Sequence, residues 1–409
     1  VSLSRSKIKE IADKGGNGKF DLPLSLLIGI LVIVGLVIVS SATAVLSKTV
    51  AGKDNAFFYN QLQSAGLGLI VLFIVSKVNY QFWRKLAKPF LFVNYILLIA
   101  LFIPGIGSNH NGSTRWITFG SFNFQPSEFV KLGMILFLAS WLAGLGDDIK
   151  DFKKGLLPFL GLVGSAAVLI LKQPDMGTTM VVVLTSSIIF FVAGASFKHL
   201  AGLIGVGLTG IASLIIFEPY RLARLTTFLD PSKDKSGAGY QINQALIAIG
   251  SGGILGLGFG KSRQKFNYLP EAATDSIFAV ISEELGFIRT ALILIIFLAF
   301  IYRAYKVAST VEDKFGRLVA IGITSMIASQ VVINIFAIMS LMPLTGVPLP
   351  FISLGGSNLI TLLFSCGILL NISRYAKEGG RNASISLGRG DRRSHFAGTR
   401  RHNRARQAR

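Results

Sequence analysis

Charge is scarce in this 409-residue chain: only 15% of it is Asp, Glu, Lys or Arg, against about 25% in a soluble globular domain. With a hydrophobic content of 51% and a mean hydropathy of +0.60, that shortfall excludes an ordinary soluble protein and places the chain in lipid. Cysteine is nearly missing. Cys366 stands alone in an apolar run, so no disulfide can form within the chain. The four histidines (His110, His199, His395 and His402) are scattered, and no His or Cys metal site can be argued from them. Acidic residues are few, 20 against 41 basic ones, for a net charge of +21. Much of that excess sits in 374–409, which carries Arg392, Arg393, Arg400, Arg401, Arg404, Arg406 and Arg409. A basic run directly after a membrane span marks the cytoplasmic side and anionic headgroups more often than a nucleic-acid site, so no nucleic-acid partner is expected.

What remains is apolar runs, and about 20 apolar residues suffice for a spanning helix. Ten candidates can be read: Leu22–Leu46, Ser64–Val78, Ala87–Ile103, Phe129–Leu145, Gly155–Leu171, Thr178–Ala195, Leu200–Phe217, Ser276–Ala304, Leu318–Leu341 and Asn358–Ile372. The expected fold class is therefore an all-α polytopic membrane protein of about ten transmembrane helices. The first span begins too deep and runs too long for a cleaved signal peptide, and is expected to be retained. Three regions follow: a basic cytoplasmic N-terminal tail at 1–21, the membrane domain at 22–373, and a basic, disordered cytoplasmic tail at 374–409. Short loops carrying Arg84 and Lys85, Lys150 and Lys153, and Lys306 and Lys314 alternate with polar ones, which sets both termini in the cytoplasm. The opposite face holds four loops rich in Gly, Pro and polar residues: 104–128, 172–177, 218–275 and 343–357. The third is far longer than the roughly 4–6 residues of an ordinary connection, and such loops are usually functional or disordered. Its apolar content argues for order, and Ile242–Ile249 has helical spacing.

Five constellations on that face could carry chemistry. Asn111–Trp116 leads into Phe124–Lys131, where Ser127 is placed to cap a helix and Glu128 and Lys131 share a helix face. The simple reading is a local ion pair with Trp116 as an interfacial anchor; the sharper one points Arg115 and Lys131 at an anionic ligand. Lys172–Thr178 contains Asp175 in a Pro-Asp turn, ordinary connection chemistry on its own. The long loop opens with Arg221 and Arg224 and contains a glycine-rich run ending Gly260-Lys261-Ser262. That ending is not a P-loop, because Leu255 stands where the first glycine is required and no soluble strand precedes it. Glycine N–H groups beside Lys261 could still cradle a phosphate, and a close-packed bend is the plainer alternative. Tyr268–Gly286 holds Thr274 and Asp275 at a helix start, where either could be a cap. It also holds Glu283 and Glu284 inside an apolar span, where carboxylates are functional suspects. Finally, Met342–Ser357 carries three prolines and three glycines, which no regular helix accommodates.

These five segments resemble the FtsW/RodA family, the SEDS glycosyltransferases, from the first span to the last. The resemblance rests on Tyr-Leu-Pro-Glu-Ala-x-Thr-Asp with Ile-Phe-Ala-Val-x-x-Glu-Glu-Leu-Gly, on Phe-Gln-Pro-Ser-Glu, on Gln-Pro-Asp-x-Gly-Thr, and on the Pro-x-x-Gly…Pro-x-Ile-Ser-x-Gly-Gly-Ser segment. Glu218-Pro-Tyr-Arg and the pair Glu271-Ala272 look more like FtsW, of the division septum, than RodA. Ala273 departs from a usual His, Ser276 from a Phe, Thr345 from a Lys and Leu354 from a Tyr.

The resemblance implies an enzyme of the bacterial plasma membrane that polymerises lipid II into glycan strands and releases undecaprenyl pyrophosphate, with Asp275 as general base. It implies substrate contacts at Arg115, Trp116, Glu128, Lys131, Asp175, Arg221, Arg224, Lys261, Glu271, Thr274, Glu283, Glu284, Ser353 and Ser357. It assigns no cofactor; a divalent cation, Mg or Mn, is the candidate aid to the departing pyrophosphate. The implied partners are lipid II, undecaprenyl-linked glycan, a class B penicillin-binding protein transpeptidase and other division proteins. A lipid II flippase and a non-catalytic division scaffold are the rival functions.

Overall fold

The computed structural model describes residues 18–376, apart from 111–112, 120–121, 218, 231–233, 235–236 and 267. The basic tail expected at 374–409 lies outside the described residues from 377 on, as does 1–17 of the N-terminal tail.

A helix stands at each of the ten expected positions. In chain order these are α1 (Leu22–Ala42), with a short continuation α2 (Ala44–Ala51), then α3 (Ala56–Lys77), α4 (Tyr80–Ala100), α5 (Pro126–Leu145), α6 (Leu157–Leu171), α7 (Met176–Val192) and α8 (Phe197–Phe217). Two loop helices follow, α9 (Pro219–Leu229) and α10 (Ala238–Gly252), and then α11 (Ile277–Thr310), α12 (Lys314–Ile338) and α13 (Gly356–Ser373). Among the described residues, seven helices are long and apolar enough to cross a membrane by length and composition, and Met176–Val192 is a shorter apolar one. Helix α4 opens on Arg84, Lys85 and Lys88, which dilutes its hydropathy.

One feature departs from an all-α reading. The loop between α4 and α5 forms a small antiparallel sheet, β1 (Ser108–His110), β2 (Ser113–Phe119) and β3 (Phe122–Phe124), in the order β1-β2-β3. Alternation over Ser113–Phe119 is too short to stand out beside the flanking apolar runs. The expected helical Ile242–Ile249 lies within α10, and Ser127 is not the cap of α5. That helix starts earlier, at Pro126 after Gln125, and the Ser127 hydroxyl accepts from Gln125 Nε2 at 3.1 Å.

Lipid already matches an apolar helix surface, so association within a membrane relies on close packing and buried polar contacts. Gly322 of α12 lets Ile135 and Ile189 close over it, and Gly68 of α3 receives Leu363 of α13. Asn371 of α13 accepts from Tyr80 N and donates to Ser76 O, both at 2.8 Å, tying the α3–α4 turn to the end of the last helix. At the same end, Arg303 of α11 pairs with Asp21 at 2.7 Å, and Asp21 N donates to Ser373 Oγ at 3.1 Å. The start of α1 and the ends of α11 and α13 therefore meet, as alternating spans require. The starts of α3, α5, α7, α11 and α13 gather at the other end.

Candidate active site

The helix starts at that second end surround a polar cleft of about 530 Å³. Arg115 and Trp116 of β2, Glu128 of α5, Asp175, Arg224, and the turn carrying Glu271, Thr274 and Asp275 all line it, with 344–348 across from them. Four sequence-distant loops thus supply one site.

Asp275 is half-buried and precedes α11, whose N-cap is Ser276 without a side-chain capping bond. The capping reading of Asp275 is therefore not seen. Among the described residues nothing donates a hydrogen bond to its carboxylate, while its backbone is held hard. Leu354 N donates to the carbonyl of Ala273 at 2.9 Å, Ser353 Oγ to that of Thr274 at 2.7 Å, and Asn334 Nδ2 to that of Asp275 at 2.8 Å. The second hydrogen of Asn334 Nδ2 goes to Val347 O, also at 2.8 Å. From the other side, Thr274 Oγ1 donates to Glu271 Oε2 at 2.7 Å, and Glu271 adopts φ 51° in the turn. Gly346 has φ 73°, and a Cβ there would lie 3.2 Å from Asp275 Oδ2, so a side chain would be strained and would press on the carboxylate.

Burial pushes the Asp275 carboxyl up to about 7, and the negative charges of Glu271 and Asp175 add to the effect. Arg115 and Arg224 pull it the other way. Both arginines are anchored by carbonyls. Arg115 Nε donates to Gln173 O at 2.9 Å and an Nη to Pro174 O, with Asp175 at 4.0 Å; Arg224 Nη1 donates to Leu344 O at 2.8 Å. Asp175 caps α7 through Thr178 N at 3.0 Å and also accepts from Thr178 Oγ1 at 2.9 Å. Its role as a turn and its place in the cleft coexist. Thr345, at the departure from lysine, lines the cleft with a buried hydroxyl that has no hydrogen-bond partner among the described residues.

Other candidates lie elsewhere. Lys131 pairs with Glu128 at 2.8 Å, both side chains buried, so the local ion pair is what forms; Glu128 reaches the cleft and Lys131 does not line it. The Ser353 and Ser357 hydroxyls hold backbone, the latter donating to Asn123 O at 2.6 Å. Arg221's side chain lies outside the described residues. Lys261 is exposed on the glycine-rich segment and does not line the cleft.

That segment is no phosphate cradle, because its N–H groups are occupied. Leu257 N and Gly258 N donate to the carbonyls of Glu283 and Glu284, both at 3.0 Å, and Phe287 N returns to Gly253 O at 2.9 Å. Gly256 (φ 80°) and Gly286 (φ 74°) face each other so closely that a Cβ on either would collide with the other's backbone. Glu283 accepts from Ser262 Oγ and from Arg263 N and Gln264 N, at 2.5, 3.1 and 3.4 Å. Glu284 accepts from Ser41, Gly260 N and Lys265 Nζ, the last at 2.9 Å. These carboxylates fasten the loop to α11. Asn334 and Lys265 escaped the sequence reading, although an amide in an apolar span is a signal of the same kind as Glu284.

Fold and site together define a polytopic membrane protein with a carboxylate and two arginines converging in one polar cleft. Residues 22–378 match the family described as cell cycle protein, FtsW/RodA/SpoVE, and the chain belongs to that family. It is 46% identical to stage V sporulation protein E of Bacillus subtilis, over 87% of this chain and 98% of that one. It is 39% identical to a probable peptidoglycan glycosyltransferase FtsW of Trichlorobacter lovleyi, over 88% and 94%. Among solved structures, it resembles a chain of a peptidoglycan synthase complex that coordinates polymerization and crosslinking (29% identity, TM-score 0.71, 87% and 98% covered). It also resembles the rod shape determining protein RodA of Thermus thermophilus (28%, TM-score 0.64, 88% and 98%).

Proposed function

We propose that this chain is a peptidoglycan glycosyltransferase that polymerises lipid II, with Asp275 as general base. The observation that carries the proposal is the carboxylate itself, fixed through three carbonyls, unbonded at its oxygens among the described residues, and lining one cleft with Arg115 and Arg224, whose charges act on it. A general base needs a pKa near the working pH, and about 7 meets that need. Asp275 takes the proton from the acceptor sugar hydroxyl as that oxygen bonds to the anomeric carbon of the donor. The bond from that carbon to undecaprenyl pyrophosphate breaks, with inversion, and the departing oxygens gain charge that Arg115 and Arg224 stabilise.

No three His, Cys, Asp or Glu side chains gather to hold a metal among the described residues. Magnesium commonly takes one or two carboxylates and the substrate's phosphates, so an Mg or Mn ion at this site would draw most of its ligands from the pyrophosphate and water.

The positive-inside bias of the basic loops supports a cleft on the outer face and both termini in the cytoplasm. The likeness to a complex that couples polymerization to crosslinking supports a class B penicillin-binding protein as partner. Relatives named FtsW support action at the division septum. A second reading has one observation behind it: the relative at 46% identity is a sporulation protein, which favours the same chemistry during sporulation. Depletion separates them, since a septal enzyme leaves filaments and a sporulation enzyme leaves growth intact with defective spores. The activity is tested by giving purified chain lipid II in detergent, with and without the partner. Glycan strands from wild type and none from Asp275→Ala support it. Strands from a folded Asp275→Ala defeat the base assignment, and no strands under either condition leave transport or scaffolding as the function.

A further inference from the structure

A second cavity opens along the side of the membrane domain, sharing no residue with the Asp275 cleft. It has about 310 Å³ and lies between α1 and α11, with Phe259 of the glycine-rich segment as one wall. Its floor is formed by buried Ile38, Val280 and Ile281, and its rim by exposed Ile33, Val37 and Leu292. Glu284 reaches it as well, but that carboxylate is bonded to Lys265 and Ser41. The groove therefore presents almost only carbon, on two helices whose outer faces meet lipid.

The rim is cationic. Arg289 lines the cavity, exposed, with one nitrogen donating to Leu255 O at 2.9 Å. Fourteen residues on, about 21 Å along the helix, Arg303 is fastened to Asp21 at the opposite end of the bundle. Arg289 thus lies on the cleft side of the span, from where a long guanidinium side chain reaches toward headgroups. Exposed Lys261 and Arg263 stand on the segment that carries Phe259, while the nearby Glu283 and Glu284 are buried and hydrogen-bonded.

We propose that this groove is a binding site for one anionic phospholipid, its acyl chain between α1 and α11 and its phosphate on Arg289. Chain burial supplies the fit, and Arg289 at the rim, which pairs with no carboxylate among the described residues, selects the charge. A lipid seated there would brace Phe259, and with it the loop that Glu283 and Glu284 fasten to the first turns after Asp275.

Native mass spectrometry of the intact chain, given phosphatidylglycerol and phosphatidylcholine in equal amount, tests this. Wild type retains one phosphatidylglycerol in preference by about fivefold, the effect of one cation at an anionic headgroup. Arg289→Gln loses the preference, and Val37→Trp, which fills the exposed rim, loses retention of either lipid. Lys53→Gln, which removes an exposed cation elsewhere, changes neither. Equal retention of both lipids by wild type, or phosphatidylglycerol held as tightly by Arg289→Gln and Val37→Trp, overturns the proposal; a partner's transmembrane helix as natural occupant would give the first of these results.

Discussion

Within ten residues, from Asp275 to Glu284, the chain places carboxylates in two opposite circumstances. Glu283 and Glu284 lie deep in the protein with hydrogen bonds on both, one of them from the ammonium of Lys265. Asp275 sits at the cleft wall with its backbone bonded on three successive carbonyls and its carboxylate bonded to nothing described. A carboxylate in a membrane segment is a suspect because it is costly there, but cost alone does not say what repays it. At Glu283 and Glu284 the return is architecture; at Asp275 it is a poised, unbonded oxygen. Hydrogen-bond satisfaction, more than depth, separates the two roles.

The largest effect that would break this contrast is on rate. Asp275→Asn, which keeps shape and removes the base, is expected to slow lipid II polymerisation by roughly 10²- to 10⁴-fold, with no loss of folded protein in detergent. Glu284→Ala should do the reverse. It strands Lys265, and breaking a buried pair costs about 3–5 kcal/mol, read as a lower melting temperature, whereas Glu284→Gln with Lys265→Gln recovers part of the loss.

Asn334→Leu tests whether the backbone clamp matters. It leaves the carbonyls of Asp275 and Val347 without a donor, each worth about 1–3 kcal/mol. The polymerisation rate per folded molecule should fall, and Asn334→Gln should restore part of that rate if the clamp is positional.

pH sharpens the same contrast more finely. A base with a pKa of about 7 gives a rate that rises with pH through that value and levels above it. Because the folded state holds this proton more tightly than an unfolded chain, the stability linked to it is complete below about pH 4 and is lost as pH rises toward 7. Asp275→Asn should therefore melt above wild type at pH 8, the gap closing near pH 4. Glu271→Gln removes a neighbouring negative charge and should move the midpoint of the rate profile to lower pH, a shift read directly from the profile.

Most of the fold was legible in the sequence because apolar runs and basic loops are coarse, additive signals. All ten helix positions follow from them. The small sheet was not, since its strands are short and their alternation is a far weaker pattern than a span. The site was half legible. Arg115, Asp175, Arg224, Glu271, Thr274 and Asp275 converge as the motifs suggested: Asp175, Glu271, Thr274 and Asp275 precede helix starts, and β2 and α9 bring the two arginines to the same end. Lys131 stays out of reach in the ion pair that its spacing to Glu128 already offered, whereas Glu284 has a partner, Lys265, that only packing reveals. The histidine usually found at 273 is replaced by an alanine that is buried, and its carbonyl still anchors the turn through Leu354 N. The turn's geometry therefore survives that departure without an imidazole.

The most direct measurement compares the initial rate of lipid II polymerisation by wild type, Asp275→Asn and Glu284→Gln, each normalised to the folded fraction in the same vesicles. Loss of rate per folded molecule in Asp275→Asn alone, with Glu284→Gln losing folded protein but keeping its rate, is the predicted result. Equal rates per folded molecule in wild type and Asp275→Asn would contradict it.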